Sequence, residues 1–125
     1  MIYTLDFMND KNIVVVKTKG RLNFQFAEKY SKEAVKLARK NNCCKFIIDH
    51  SETITQKGTN KIYASGAEME QFGFRNTDSI AILLEKPGED EDLIQASKAN
   101  SRFCAIKYFY NNNYSEALRW LLAKN

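Results

Sequence analysis

The chain has 125 residues, 44% hydrophobic, 12% aromatic and 27% charged, which is the composition of a folded domain and excludes a disordered tail or a coiled coil. At this length folding should bury roughly two-thirds of the surface of the extended chain, so one compact unit spanning residues 1–125 is expected without disulfides or a structural metal. The net charge of +4 is too small to imply nucleic acid, and it is uneven: Met1 to Asp49 holds ten basic and five acidic residues, His50 to Asn125 nine and ten.

No apolar run approaches the roughly 20 residues of a membrane span, and the opening MIYTLDFMND has neither the basic nor the apolar region of a signal peptide. The chain therefore reads as cytoplasmic. Cysteine usage agrees: there are three cysteines, an odd number, Cys43 and Cys44 are adjacent, and no C-x-x-C occurs. With a single histidine besides, a zinc ligand set is missing, and neither a metal nor a cofactor is implied.

In chain order, Ile2–Phe7 and Asn12–Thr18 are rich in β-branched and aromatic residues and predict two strands, antiparallel because the turn between them is short. From Phe24 to Lys40 the period becomes helical, with Ala27, Tyr30, Ala34, Leu37 and Ala38 on one face and Lys29, Lys32, Lys36 and Lys40 on the other. Cys43–Asp49 is a short apolar run without alternation, which predicts a strand buried on both faces, followed by a polar loop from Ser51 to Gly58. Thr59 is placed to cap a second helix carrying Ile62, Gly66 and Met69 on its buried stripe, and Gly73 to end it. Asp78–Leu84 predicts another buried strand. After Lys86-Pro87-Gly88, the acidic run Glu89 to Asp92 suits the first turn of a third helix, where carboxylates meet free amides. Cys104–Tyr110 is the last strand, and Asn113 with Glu116 predicts a capping box for a final helix anchored by Leu118, Trp120, Leu121 and Leu122. The order ββαβαβαβα predicts an α/β fold: a mixed, mostly parallel five-stranded sheet with the first strand antiparallel, packed by four helices.

This order, together with the strings IIDHSETI, DSIAILLEK and IKYFYNNNYSEALRWLL, resembles the SpoIIAA-like family of the STAS superfamily, whose founding members are anti-sigma-factor antagonists and which is related in fold to Sec14-type lipid carriers. The resemblance spans nearly the whole chain. It implies a non-enzymatic regulatory module acting through a protein partner or, alternatively, a small apolar ligand or lipid with peripheral membrane contact. Anti-sigma antagonists carry a phosphorylatable serine in an Asp-Ser-Ser-Gly-like motif after the third strand. The matching stretch here is Lys57-Gly58-Thr59-Asn60, which lacks the Asp-Ser pair and leaves Thr59 as the hydroxyl in that place.

Several residues carry candidate chemistry. Asp49-His50-Ser51 has the residue types of a hydrolytic triad, but consecutive residues on extended backbone splay apart, and no G-x-S-x-G elbow is present. These residues are read instead as loop and cap chemistry at the place where α/β folds bind ligands, with Ser51 and Thr59 as candidate phosphoacceptor or partner sites. No phosphate-binding glycine loop follows any strand, and Glu85 has no second carboxylate at a defined spacing. Lys29, Lys32, Lys36 and Lys40 form a basic stripe, read either as a solvated face with a Glu28–Lys32 pair or as a contact for anionic lipid headgroups or an acidic partner. Phe24, Phe26, Tyr63 and Phe72 are candidates to line an apolar pocket between helices and sheet.

Overall fold

A computed structural model describes residues 2–54, 66–85, 103–111 and 113–124. Strands β1 (Ile2–Met8) and β2 (Ile13–Arg21) form the opening hairpin, followed by helix α1 (Phe24–Lys40), β3 (Lys45–Ile54), the short helix α2 (Gly66–Gln71), β4 (Ser79–Leu84), β5 (Ala105–Tyr110) and α3 (Tyr114–Leu122). The five strands lie in the order β1-β2-β3-β4-β5. The pair β1 and β2 is antiparallel and the other three pairs are parallel, which is the predicted mixed sheet. The predicted helix over the acidic run at Glu89 to Asp92 and the proposed cap at Thr59 both fall outside the described residues.

β4 is an interior strand of the parallel part, and all six of its residues are buried. The pleat distributes strand side chains between two cores. Phe46, Ile48, Ile80 and Ile82 join Val14 and Val16 beneath Ala27, Tyr30, Ala34 and Ala38 of α1 and Met69 of α2. Ile47, Ala81 and Leu83 take the other face, beneath Ala117 and Leu121 of α3. Small residues along the buried stripe of α1 let the helix lie close to the sheet, which leaves room for Tyr30 as its one large buried side chain.

Helix ends are set by local chemistry. Asn23 caps α1, its side chain accepting from the Phe26 amide at 2.9 Å. The end of α2 is closed as the glycine predicts: Gly73 sits at φ +103°, its amide donates to Glu70 and the Phe74 amide to Met69, a Schellman arrangement. Asn42, at φ +53°, takes the same role after α1, with the Cys43 amide reaching Ala38 at 2.8 Å.

Three expectations need correction. Ser51 to Ile54 is strand and not loop, because β2 continues to Arg21 and offers Lys19, Gly20 and Arg21 as partners for Glu52, Thr53 and Ile54. Asn113 precedes α3 but makes no side-chain cap bond, since its backbone at ψ 59° is not the extended geometry that aims a cap at the helix amides. Leu122 is 48% exposed and anchors nothing, while Leu121 beside it is fully buried.

One polar contact locks the layers together. The Arg39 guanidinium in the last turn of α1 meets the Asp78 carboxylate just before β4 at 2.6 Å, with the Asp78 side chain fully buried. Arg39 also donates to the Cys43 carbonyl at 2.9 Å, and Asp78 accepts from the Arg75 amide at 2.8 Å. Removing the cation alone leaves a buried, uncompensated carboxylate. Arg39→Met is therefore expected to destabilise the fold by about 3 kcal/mol, and Arg39→Met with Asp78→Asn by less than the sum of the two single changes. Urea unfolding of the three variants measures both, and additive losses would contradict the coupling.

Candidate functional site at the strand ends

Beyond Ile48 the sheet stops being apolar, and the pleat decides where each polar group goes. Asp49 follows Ile47 onto the α3 face, whereas His50 follows Phe46 and Ile48 onto the α1 face. The register then slips: Lys17 pairs with Asp49 but Lys19 with Glu52, so β3 holds one residue more than β2 across this stretch. Ser51 lies on the face of Asp49 by alternation, and Asp49 Oδ1 accepts from the Ser51 amide at 2.9 Å, whereas the bulge shifts the alternation beyond it and brings Thr53 to the face of His50.

A cleft of about 390 Å³ results at the carboxyl ends of β3 and β4, lined by Lys17, Asp49, Ser51, Glu52, Leu83, Glu85 and Tyr114. Its lining carries three carboxylates and one ammonium group. Tyr114, at the start of α3, forms one wall and donates to Met8 Sδ at 3.5 Å. Burial pushes its phenol above the ordinary value, the charge of Asp49 adds to that, and Lys11 partly offsets both. Among the described residues no group of three His, Cys, Asp or Glu side chains is placed to hold a metal ion.

The single histidine is turned away from this cleft. His50 is 2% exposed and its Nδ1 lies 2.7 Å from Thr18 Oγ1, with Thr53 Oγ1 at 3.4 Å. Its Nε2 faces the Tyr30 hydroxyl at 3.4 Å, and Thr18 and Thr53 share a bond of 2.5 Å. Burial pushes the imidazole down to about 4, against a smaller upward pull from Asp49, so it is neutral at physiological pH. Asp49, His50 and Ser51 are thus consecutive in the chain but divided between the two faces of the sheet. They form no triad.

Other predicted site residues lie elsewhere. Lys29, Lys32, Lys36 and Lys40 are all exposed on the outer face of α1, and the Glu28–Lys32 pair forms at 3.4 Å, with Gln71 of α2 also donating to Glu28. Phe24, 36% exposed, packs against the fully buried Phe72 in a tilted pair at 5.2 Å between ring centroids, and Phe26 is half-buried. Tyr63, like Thr59, is outside the described residues. Lys17 and Tyr114 in the cleft, and Thr18 and Tyr30 around His50, were not singled out from the sequence. The last two carried a signal: Thr18 continues the alternation of Val14 and Val16, and Tyr30 sits on the alanine stripe of α1, so each is a polar group at a core position.

No family model and no curated protein matches this chain. Among solved structures, the chain is similar to one described as the anti-sigma factor antagonist SpoIIAA in its unphosphorylated form, at 12% identity and a TM-score of 0.43, over 94% of this chain and 98% of that one.

The buried imidazole makes stability depend on pH. Below its unfolded value near 6.5 the unfolded chain binds a proton that the folded chain refuses until about pH 4, so stability is constant above that window and falls through it as pH drops. The expected loss between pH 7 and pH 5 is roughly 2 kcal/mol, and it should largely vanish in His50→Gln. Urea midpoints at the two pH values for both proteins test this, and equal midpoints in the parent chain would contradict it.

Proposed function

We propose that this chain is a non-enzymatic, cytoplasmic interaction module that acts in regulation by docking a protein partner at the cleft between the ends of β3 and β4. The observation that carries the reading is the division of Asp49, His50 and Ser51 between the sheet faces. Ser51 is presented in an open polar cleft, while the imidazole that would activate it is fixed in the interior by Thr18 and Tyr30. A hydroxyl so placed serves recognition. Cys43, Cys44 and Cys104 are not joined in disulfides, which suits a reducing compartment.

Charge on the cleft selects the partner. Asp49, Glu52 and Glu85 outnumber Lys17, so the docking segment should bring lysine or arginine. The same carboxylates are a poor setting for a phosphate on Ser51, and Ser51 is therefore assigned to partner contact. The alternative reading, an apolar ligand or lipid at a membrane surface, draws on the four exposed lysines of α1 and on Phe24 beside them. On that helix Lys32 is engaged by Glu28, and Glu33, bonded to Tyr3, adds negative charge, so the stripe is less cationic than its lysines suggest. No helix among the described residues is long and apolar enough to cross a membrane.

The two readings separate experimentally. With a photo-crosslinking residue in place of Ser51, one protein should be captured in stoichiometric yield, and Glu52→Lys with Glu85→Lys should reduce that yield about tenfold. Capture that ignores the charge reversal would refute the cleft as the docking site. Salt-sensitive binding to anionic vesicles, lost in Lys32→Glu with Lys36→Glu, would favour the lipid reading instead.

A further inference from the structure

β1 is an edge strand: it pairs with β2 on one side and with nothing on the other among the described residues. Edge strands of soluble proteins are normally blunted by a proline, a bulge or an inward-pointing lysine. Ile2–Met8 has none of these, pairs with β2 in unbroken register over its whole length, and leaves Ile2 70% exposed. Each outer strand carries one exposed charge, Asp6 on β1 and Lys107 on β5.

Backbone direction fixes which groups are free. The Met8 carbonyl accepts from the amides of Lys11 and Asn12, so it points toward the hairpin, and alternation along β1 turns the amides and carbonyls of Tyr3, Leu5 and Phe7 outward. A second copy of the same strand, running antiparallel about a twofold axis at Leu5, meets these groups in register and forms about six main-chain hydrogen bonds.

Side chains choose that register. It sets Tyr3 of one copy opposite Phe7 of the other, an aromatic pair on the α1 face. On the opposite face it sets Ile2 against Met8 and Thr4 against Asp6. A slip of one pairing step in one direction sets Asp6 against Asp6, and in the other it removes Met8 from the pairing. From the unblunted edge and its self-complementary register, we propose that two copies of this chain associate through β1, joining their sheets into one continuous sheet. The twofold axis is perpendicular to that sheet. Both Ser51 clefts consequently open on the same face, at opposite ends.

Position 4 tests the register, because Thr4 is exposed and touches neither core. Sedimentation velocity of the full chain from about 1 µM to about 500 µM should show a dimer forming as concentration rises. Thr4→Asp, facing Asp6 of the other copy twice, should weaken dimerisation about three- to tenfold, and Thr4→Lys should strengthen it by a similar factor. Urea midpoints of the variants confirm that each copy is folded. A chain that remains monomeric at the highest concentration overturns the proposal, as does a dimer whose affinity shifts in the same direction, or not at all, in the two variants.

Discussion

The contact between Arg39 and Asp78 holds the parallel part of the molecule in register. Asp78 stands immediately before β4, its carbonyl accepts from the Ala105 amide at the start of β5, and the next residue, Ser79, donates to Cys44 before β3. Its carboxylate therefore sits where three strands begin, and Arg39 ties that point to the end of α1. A buried ion pair contributes little net stability over an apolar pair of the same shape, but it tolerates little displacement. Fixing the strand starts sets the height at which β3 and β4 run out at the other end of the sheet, and so the depth of the cleft there.

The same strand supplies the cleft and the buried polar cluster, and the two are related by the bulge between Asp49 and Glu52. On one face Thr18, Thr53 and Tyr30 saturate His50, so a polar side chain is accommodated in the core without a charge. On the other face Asp49 remains half-buried and spends one oxygen on the Ser51 amide. Burial neutralises the imidazole, whereas the Asp49 carboxylate opens on the polar cleft. Two neighbouring residues thus end with opposite electrostatic roles for a reason that is purely geometric.

Much of the architecture was legible in the sequence because it depends on period. The shift from alternation in β1 and β2 to helical spacing after Phe24, the unbroken apolar runs of β3 and β4, and the glycine after α2 each have one favourable backbone solution. Strand length in β3 was not legible, since Ser51 to Thr53 is polar and becomes strand only because the end of β2 is there to pair with it. The cap at Asn113 failed for a related reason: residue type suited the role, but backbone direction into α3 did not. At the site, Ser51 and Asp49 were identified through their place at a strand end. Lys17 and Tyr114 were not, because they reach the cleft from β2 and α3, more than thirty residues away along the chain in either direction.

Strand order carries a consequence for how the chain acquires its fold. Each strand lies beside its predecessor in the sequence, from β1 through β5, and no later strand is inserted between earlier ones. Every new pairing therefore closes a loop no longer than one connecting segment, which limits the chain entropy lost at each step. A chain emerging gradually from its amino end meets a partner edge already in place at every stage. The order allows growth from the hairpin outward, and the last helix shares its half of the core with Phe109 of β5.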